Sequence, residues 1–316
     1  MERSFITVVI PVYNEENQIY ENISVIKKCL EETAIEFMIL LVDDGSTDGT
    51  WSRLKMISEE IPCIKALRLS RNFGKEAALC AGLEAVEGDG CIIMDADLQH
   101  PPTLIPEMIR LWKDEGYEVV EGVKDLRGNE SIIKKVGANL FYKILSKLSG
   151  FNMQQSSDFK LLDKKVVLAW RSMNERSTFF RGMSAWVGYN RISIPFNVGI
   201  RTKGASKWSV FNLCALAVKA ITSFSSFPLY IVTFMGVFFL AGALLLGMQT
   251  LYMKLMGIAL SGFTTVILLL LIIGSCLMIS LGVIGTYIAR IYEEVKYRPR
   301  YIVADETKSS EDLLNK

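Results

Sequence analysis

The stretch IIMDADLQHPP, residues 92–102, decides how this chain reads. An apolar run ends on Asp95 and Asp97, followed by Gln99, His100 and two prolines. In an extended segment residues i and i+2 point the same way, so Asp95 and Asp97 can face one pocket, and Gln99 joins them where the backbone stays extended. Two carboxylates and an amide oxygen are hard ligands that suit Mg2+ or Mn2+, ions that keep waters and also take phosphate oxygens of a substrate. Pro101 and Pro102 end the strand and can open the next helix. A lone pair of aspartates is more often a turn or a cap, so the neighbouring segments decide.

Strand-like runs at 5–10, 37–42, 64–69, 91–95 and 117–123 alternate with helix-like segments at 15–33, 48–60, 74–87 and 102–115. That order implies an α/β fold with a mostly parallel sheet covered on both faces. Such sheets bind ligands at the carboxyl ends of their strands. PVYNEE, DDGSTDGT, SRNFGKEAAL and DADLQHPP follow successive strands at that edge and together describe a pocket. No GxGxxG follows any of these strands, so a dinucleotide-binding loop is not supported. In VDDGSTDGT the plain reading is a strand end, a glycine turn and an N-cap at Ser46 or Thr47. It leaves Asp43 and Asp44 unexplained, of which one can reach a base or ribose. His100, the only histidine, reads as loop structure because it has no evident partner.

Charge is balanced over the 316 residues, 35 basic against 34 acidic, which gives no reason to expect a nucleic-acid partner. Cys29, Cys63, Cys80, Cys91, Cys214 and Cys276 lie far apart without a CxxC pair, as expected of reduced thiols facing a cytosol. The first apolar run is too short for a signal peptide. Half the residues are hydrophobic and the mean hydropathy is +0.29. The excess is concentrated. No charged residue lies between Lys219 and Lys254, or between Lys254 and Arg290. A bilayer core takes about 20 apolar residues per helix, so transmembrane helices are expected near 228–250 and 262–289, the first opening at Pro228. Arg201, Lys203, Lys207 and Lys219 precede the pair and Arg290, Lys296, Arg298 and Arg300 follow it, which places both ends in the cytoplasm. Trp208, Phe211, Leu216, Ile221 and Phe224 suggest an amphipathic helix in the membrane interface just before the first span. Glycines and alanines such as Gly236, Ala241, Gly242, Gly274 and Gly282 permit close helix packing, within one chain or in a homo-oligomer.

The segments VVIPVYNEE, LVDDGSTDGT, LSRNFGKEAALCAGL, MDADLQHPP, SSDFKLLDKKVV, RGMSAWVGY, RTKGASKW, ITSFSSFPL and IGTYIARIYEEVKYRPRYIV occur in that order. Together they resemble the polyprenyl-phosphate glycosyltransferases of glycosyltransferase family 2, of the bactoprenol glucosyltransferase type and related to dolichyl-phosphate mannose synthase. The resemblance implies a GT-A (Rossmann-like) catalytic domain over residues 1–205. An interfacial helix over 206–227, a two-helix transmembrane domain over 228–290 and a cytoplasmic C-terminal tail over 291–316 would follow. It implies an inverting, metal-dependent transfer of glucose or N-acetylglucosamine from a UDP-sugar to undecaprenyl phosphate at the cytoplasmic face of the inner membrane, for later glycosylation of the cell envelope. By position, Pro11, Tyr13, Glu15, Asp44 and Asp95 would contact the nucleotide sugar. Asp97 and Gln99 would hold Mg2+ or Mn2+ together with Asp95. Arg201 and Lys207 would bind its phosphate oxygens from a loop that Gly204 loosens. Lys124 and Arg127 would meet the acceptor phosphate.

Asp158 falls where the family has its candidate base. An acceptor monoester with a second pKa near about 6 is largely ionised already, so Asp158 can instead orient the acceptor or hold sugar hydroxyls. The chain departs from the family at Lys124, where Arg is frequent and a lysine offers a point charge without a bidentate fork. Ser157, Lys160 and Trp208 also replace commoner residues. A processive polysaccharide synthase shares the nucleotide pocket but carries QxxRW and more spans, whereas this chain has RGMSAW and two. A non-catalytic partner of a flippase would have no use for Asp95, Asp97, Gln99 and Asp158.

Overall fold

The computed structural model describes residues 4–124, 157–173, 175–176, 178–196, 227–257 and 262–307. These fall into two compact units. One holds the residues up to 196 together with 298–307, and the other holds 227–257 and 262–297.

The first unit begins with the alternation read from the sequence: β1 (Phe5–Val12), α1 (Ile19–Glu31), β2 (Glu36–Asp43), α2 (Thr50–Glu60), β3 (Ile64–Leu69), α3 (Lys75–Glu84) and β4 (Gly90–Ile93). A 3-10 turn (Pro102–Leu104) leads into α4 (Ile105–Lys113), then β5 (Val119–Lys124), β6 (Lys160–Asp163), α5 (Lys164–Arg171), α6 (Phe180–Trp186) and β7 (Arg191–Phe196). β1 and β2 are buried along nearly their whole length, as strands covered on both faces must be. α1 buries Ile19, Ile23, Ile26 and Leu30, a stripe at helical spacing. Fully burying one such side chain contributes about 1.5–3 kcal/mol, which is why the period of the apolar residues dictates the helix.

The described strands form one sheet in the order β7-β5-β6-β4-β1-β2-β3-β8, with β8 at Val303–Glu306. β4, β1, β2 and β3 run parallel, and β6 enters antiparallel between β4 and β5. The carboxyl ends of β1, β2, β3 and β4 therefore share one edge, as the order of elements predicted.

β6, β7 and β8 were not anticipated. β6 has four residues, and β8, VADE, is exposed throughout and has no apolar period. Backbone pairing holds β8 against β3, Leu67 opposite Glu306 and Arg68 opposite Asp305. The chain on either side is fastened too. The N–H of Ser70 donates to the Ile302 carbonyl (2.8 Å), that of Thr307 to the Ala66 carbonyl (2.9 Å), and Lys55 pairs with Asp305 at 2.8 Å. Arg300 donates to the Met173 carbonyl, lies 3.6 Å from Glu84 and packs over the Trp170 ring, while the Tyr301 hydroxyl donates to Glu84. Of the segment read as a C-terminal tail, residues 291–295 thus continue a helix, and 298–307 belong to the first unit.

The second unit contains α7 (Phe227–Leu255) and α8 (Phe263–Val295), each longer than the sequence expectation. Their apolar windows have mean hydropathies of 2.4 and 2.3, and both helices are long and apolar enough to cross a membrane. At about 1.5 Å per residue each exceeds a hydrocarbon core of about 30 Å. The hydroxyls of Thr233, Thr250, Ser275, Ser280 and Thr286 each donate to the carbonyl four residues earlier, which satisfies them without water. The interfacial helix expected over 206–227 lies outside the described residues, apart from Phe227, which opens α7.

Arg300→Ala removes two polar contacts and the packing on Trp170. It should lower the stability of the first unit by about 1–3 kcal/mol, read as an earlier thermal transition in detergent. An unchanged transition would mean that the C-terminal strand is not fastened as described.

Candidate active site

Three loops at the shared strand edge are knitted together by their own polar groups. Asn14, with φ of 55°, donates its N–H to Ser46 Oγ (2.9 Å), and its side-chain oxygen accepts the N–H of Thr47 (2.9 Å). Glu15 donates its N–H to Thr50 Oγ1 (2.9 Å), and Glu16 accepts the N–H of Gly49 (3.0 Å). α2 begins later than expected. Asp48 accepts the N–H of Thr50 (3.0 Å), while Ser46 turns to the β1 loop, so neither Ser46 nor Thr47 is the cap. Gly45 has φ of +66°, and a Cβ there would stand 2.3 Å from the backbone carbon of Arg71. Only glycine lets the loops after β2 and β3 approach this closely.

Asp43 and Asp44 divide their work. Asp43 is fully buried, accepts the N–H of Ser46 (2.9 Å) and faces Arg68 Nε at 3.4 Å. Asp44 accepts the N–H groups of Phe73 (2.8 Å) and Gly74 (2.9 Å), fixing the loop that opens α3. Burial pushes the Asp44 carboxyl above its ordinary pKa, against the pull of those two N–H groups.

β4 ends at Ile93, and the backbone then turns instead of staying extended. Leu98 has φ of 56°, and Asp97 Oδ1 accepts the N–H of Gln99 at 3.1 Å. The Gln99 amide folds back to donate to Asp97 Oδ2. Asp95 and Asp97 still share a cleft, but through a turn and not through strand alternation. The cleft has a volume of about 300 Å³, and Pro11, Tyr13, Glu15, Asp44, Asp95 and Asp97 all line it, joined by Asn72, Gly74 and Lys75. Burial raises the Glu15 carboxyl, and the charges of Asp97 and Asp48 add to the shift. A second cavity of about 620 Å³ shares Tyr13 and Asn72 with the cleft and is closed on one side by Ala304 and Asp305 of β8.

His100, read from the sequence as loop structure without an evident partner, has partners in the fold. Its ring stacks on Phe159 at 5.2 Å, and Nδ1 accepts the N–H of Asp95 at 3.3 Å. Burial lowers its pKa, so the ring stays neutral and keeps that acceptor.

Asp158, just before β6, comes to the same place. Arg181 of α6 holds it with two hydrogen bonds, Nε to Oδ1 at 2.7 Å and Nη2 to Oδ2 at 2.9 Å. Lys75, the first residue of α3, bridges Asp158 Oδ2 (2.8 Å) and Asp95 Oδ1 (2.6 Å). Burial alone would raise the Asp158 carboxyl, but Arg181 and then Lys75 hold it well below the usual carboxylate range. Burial likewise disfavours the Lys75 ammonium, yet Asp95 and Asp158 outweigh it and raise its pKa. α6 is anchored in turn. Glu76 accepts the N–H of Phe180 (2.7 Å), and the fully buried Lys160 donates to Ser184 (2.7 Å) while pairing with Glu121.

Lys75 and Arg181 were absent from the sequence-derived set. Lys75 carried a readable signal: a cation in the first turn of a helix opposes the helix dipole and needs carboxylates to hold it. Arg181 carried none, because nothing in RGMSAW announces that the chain returns to Asp158. Lys124 ends β5 with its side chain exposed, at the end of the sheet beyond Asp158. Arg127, Arg201 and Lys207 lie outside the described residues.

An open α/β sheet that gathers carboxylates at the ends of its parallel strands, and brings a further carboxylate in on an antiparallel insertion, is the arrangement expected of a GT-A glycosyltransferase. The family model described as glycosyl transferase family 2 matches residues 7–173, over half of the chain, and the chain belongs to that family. It is 38% identical over 305 residues to an uncharacterized glycosyltransferase of Synechocystis sp., covering 95% of each chain. It is 35% identical over 303 residues to the bactoprenol glucosyl transferase of Shigella phage SfV, covering 95% of this chain and 98% of that one. Among solved structures it is similar to glucosyl-3-phosphoglycerate synthase from Mycobacterium tuberculosis, at 22% identity and a TM-score of 0.47, covering 70% of this chain and 78% of that chain.

Gly45→Ala forces a Cβ into the Arg71 backbone at a left-handed φ. It should cost the first unit at least about 2 kcal/mol and weaken nucleotide binding, read together by thermal unfolding and by titration with UDP. Unchanged affinity for UDP would place the nucleotide away from these loops.

Proposed function

We propose that this protein transfers glucose from UDP-glucose to the phosphate of a membrane polyprenol, with inversion at the anomeric carbon. The observation that carries this reading is that one chain holds both the acidic cleft and two membrane-length helices, and matches a bactoprenol glucosyl transferase over 95% of its length. The basic residues that flank α7 and α8 favour a catalytic unit and both termini on the cytoplasmic side, where nucleotide sugars are made.

The donor set fits a divalent ion. Asp95 and Asp97 offer hard carboxylate oxygens on one wall of the cleft. Such an ion completes its shell with diphosphate oxygens and water. Asp95 and Asp97 would hold Mg2+ or Mn2+, with Gln99 adjoining. When bound, the ion would neutralise charge on the leaving diphosphate.

The chain's own residues do the rest. Tyr13, Asp44 and Glu15 line the cleft where the nucleoside and ribose would lie, and the adjoining larger cavity gives that end room. Lys124 and Arg127 are assigned to the acceptor phosphate, and Arg201 and Lys207 to the donor's diphosphate. A phosphate oxygen of the lipid attacks the anomeric carbon from the face opposite the leaving group. The bond to the nucleoside diphosphate breaks as the new bond forms, and UDP departs. Asp158 is a poor proton acceptor because Arg181 and Lys75 stabilise its charged form. With an acceptor of second pKa about 6, a base is not needed at neutral pH. Asp158 acts instead by holding Arg181 and Lys75 in place.

The full-length protein in detergent, given polyprenyl phosphate and Mn2+, should move label into the lipid phase from UDP-glucose. It should not do so from UDP-galactose or GDP-mannose, and Asp97→Asn should abolish the transfer. Label entering a water-soluble glycan instead would contradict the lipid acceptor.

The pH profile separates the roles. A depressed folded pKa means that the stabilisation from Asp158 is present above the unfolded value of about 3.9 and is lost only at lower pH. Between pH 5.5 and 8 the rate should therefore rise once, near about pH 6, as the acceptor loses its second proton. Asp158→Asn should lower kcat and leave that midpoint in place. A midpoint that moves with the substitution would make Asp158 the base after all.

A further inference from the structure

The resting cleft already contains a cation. Lys75 Nζ lies 2.6 Å from Asp95 Oδ1, an oxygen that a divalent ion would need, and 2.8 Å from Asp158 Oδ2. The other Asp95 oxygen lies 4.0 Å from His100 Nδ1, which accepts the Asp95 N–H and gives that oxygen no hydrogen bond. Both Asp97 oxygens accept from Gln99, one from its backbone and one from its amide. One Asp95 oxygen and both Asp97 oxygens are thus occupied by internal donors, and a dication must displace an ammonium of like charge to reach Asp95 Oδ1.

We infer that Lys75 is a resident counter-ion that keeps free divalent cations off the Asp95–Asp97 pair and gives way to a cation arriving with a nucleoside diphosphate. This rests on the reading of the cleft as a metal–nucleotide site. Three features make the exchange workable. Asp158 is pinned by two bonds from Arg181, so it stays in place as a pivot when Lys75 leaves Asp95. Lys75 is the first residue of the ten-residue helix α3 and lines the cleft, so its ammonium and the helix N-terminus attract the same phosphate oxygens. Gly74 precedes it with φ of 98° and open space where a Cβ would stand, leaving room for a phosphate to approach. A diphosphate supplies the negative charge that replaces Asp95 as the ammonium's partner. A bare dication supplies none and meets only repulsion. Lys75 therefore couples ion binding to nucleotide binding and protects the unloaded cleft from adventitious metal.

The test uses full-length protein in detergent and the paramagnetic signal of free Mn2+, with and without UDP and with no acceptor present. Wild type should bind Mn2+ about tenfold more tightly with UDP than without it. Lys75→Met should bind Mn2+ alone about tenfold more tightly than wild type and lose most of the enhancement by UDP. Lys75→Arg, which keeps the charge, should behave as wild type does. Lys75→Gln provides a second neutral side chain should the methionine variant unfold. The inference is overturned if the neutral variants, with thermal transitions like that of wild type, bind Mn2+ alone no more tightly than wild type. It is also overturned if wild type binds Mn2+ equally with and without UDP. Wild type that binds UDP but no Mn2+ under either condition would instead remove the metal–nucleotide reading on which the inference rests.

Discussion

Carboxylates cannot be gathered at the mouth of a buried sheet unless cations are gathered with them. Asp95, Asp97 and Asp158 converge on one cleft, and the desolvation of Asp158 is answered by Arg181 at two points and Lys75 at a third. Each cation comes from a helix whose placement depends on the rest of the fold. Lys75 opens α3 because Asp44 holds the preceding loop, and Arg181 reaches inward because Glu76 and Lys160 anchor α6. This charge assembly connects the parallel half of the sheet to the antiparallel insertion that carries Asp158.

In the proposed function the same assembly carries the chemistry. A carboxylate so strongly stabilised in its charged form is a poor base, and a phosphate acceptor does not require one. What such a reaction needs is charge placed where the diphosphate leaves and where the lipid phosphate arrives. In the proposed reading, the ionic groups at this strand edge would supply that charge once Lys75 has moved onto the diphosphate. The close approach at Gly45 and the side-chain bonds of Asn14 and Asp44 make the Tyr13 and Asp44 side of the cleft equally firm. β8 adds a wall to the adjoining cavity from a segment that follows the second membrane-length helix in the chain.

What was legible in the sequence was whatever a local period encodes. Continuous apolar runs marked β1 to β5, and the stripe of Ile19, Ile23, Ile26 and Leu30 marked α1. The polar loops at one edge bring Pro11, Tyr13, Glu15, Asp44, Asp95 and Asp97 to line a single cleft, and Gln99, expected beside them, is not among the residues that line it. Long-range pairing was not legible. β8 is a polar edge strand held by backbone bonds to β3, and its four exposed residues carry no pattern. Arg181 meets Asp158 from 23 positions away through a fold that the sequence does not announce. The strand geometry first expected at Asp95 and Asp97 gave way to a turn, because Leu98 takes a left-handed conformation and Asp97 captures the backbone of Gln99. The acidic motif survived the change because the turn directs both carboxylates to the same cleft.

The most direct test is diffraction at the manganese absorption edge from crystals of the full chain grown with Mn2+ and UDP. The account predicts an anomalous peak at coordination distance from Asp95 and Asp97 and on the diphosphate, with Lys75 moved onto phosphate and Asp158 still held by Arg181. UDP seated in the cleft with Lys75 still on Asp95, and no peak on either aspartate, would contradict it.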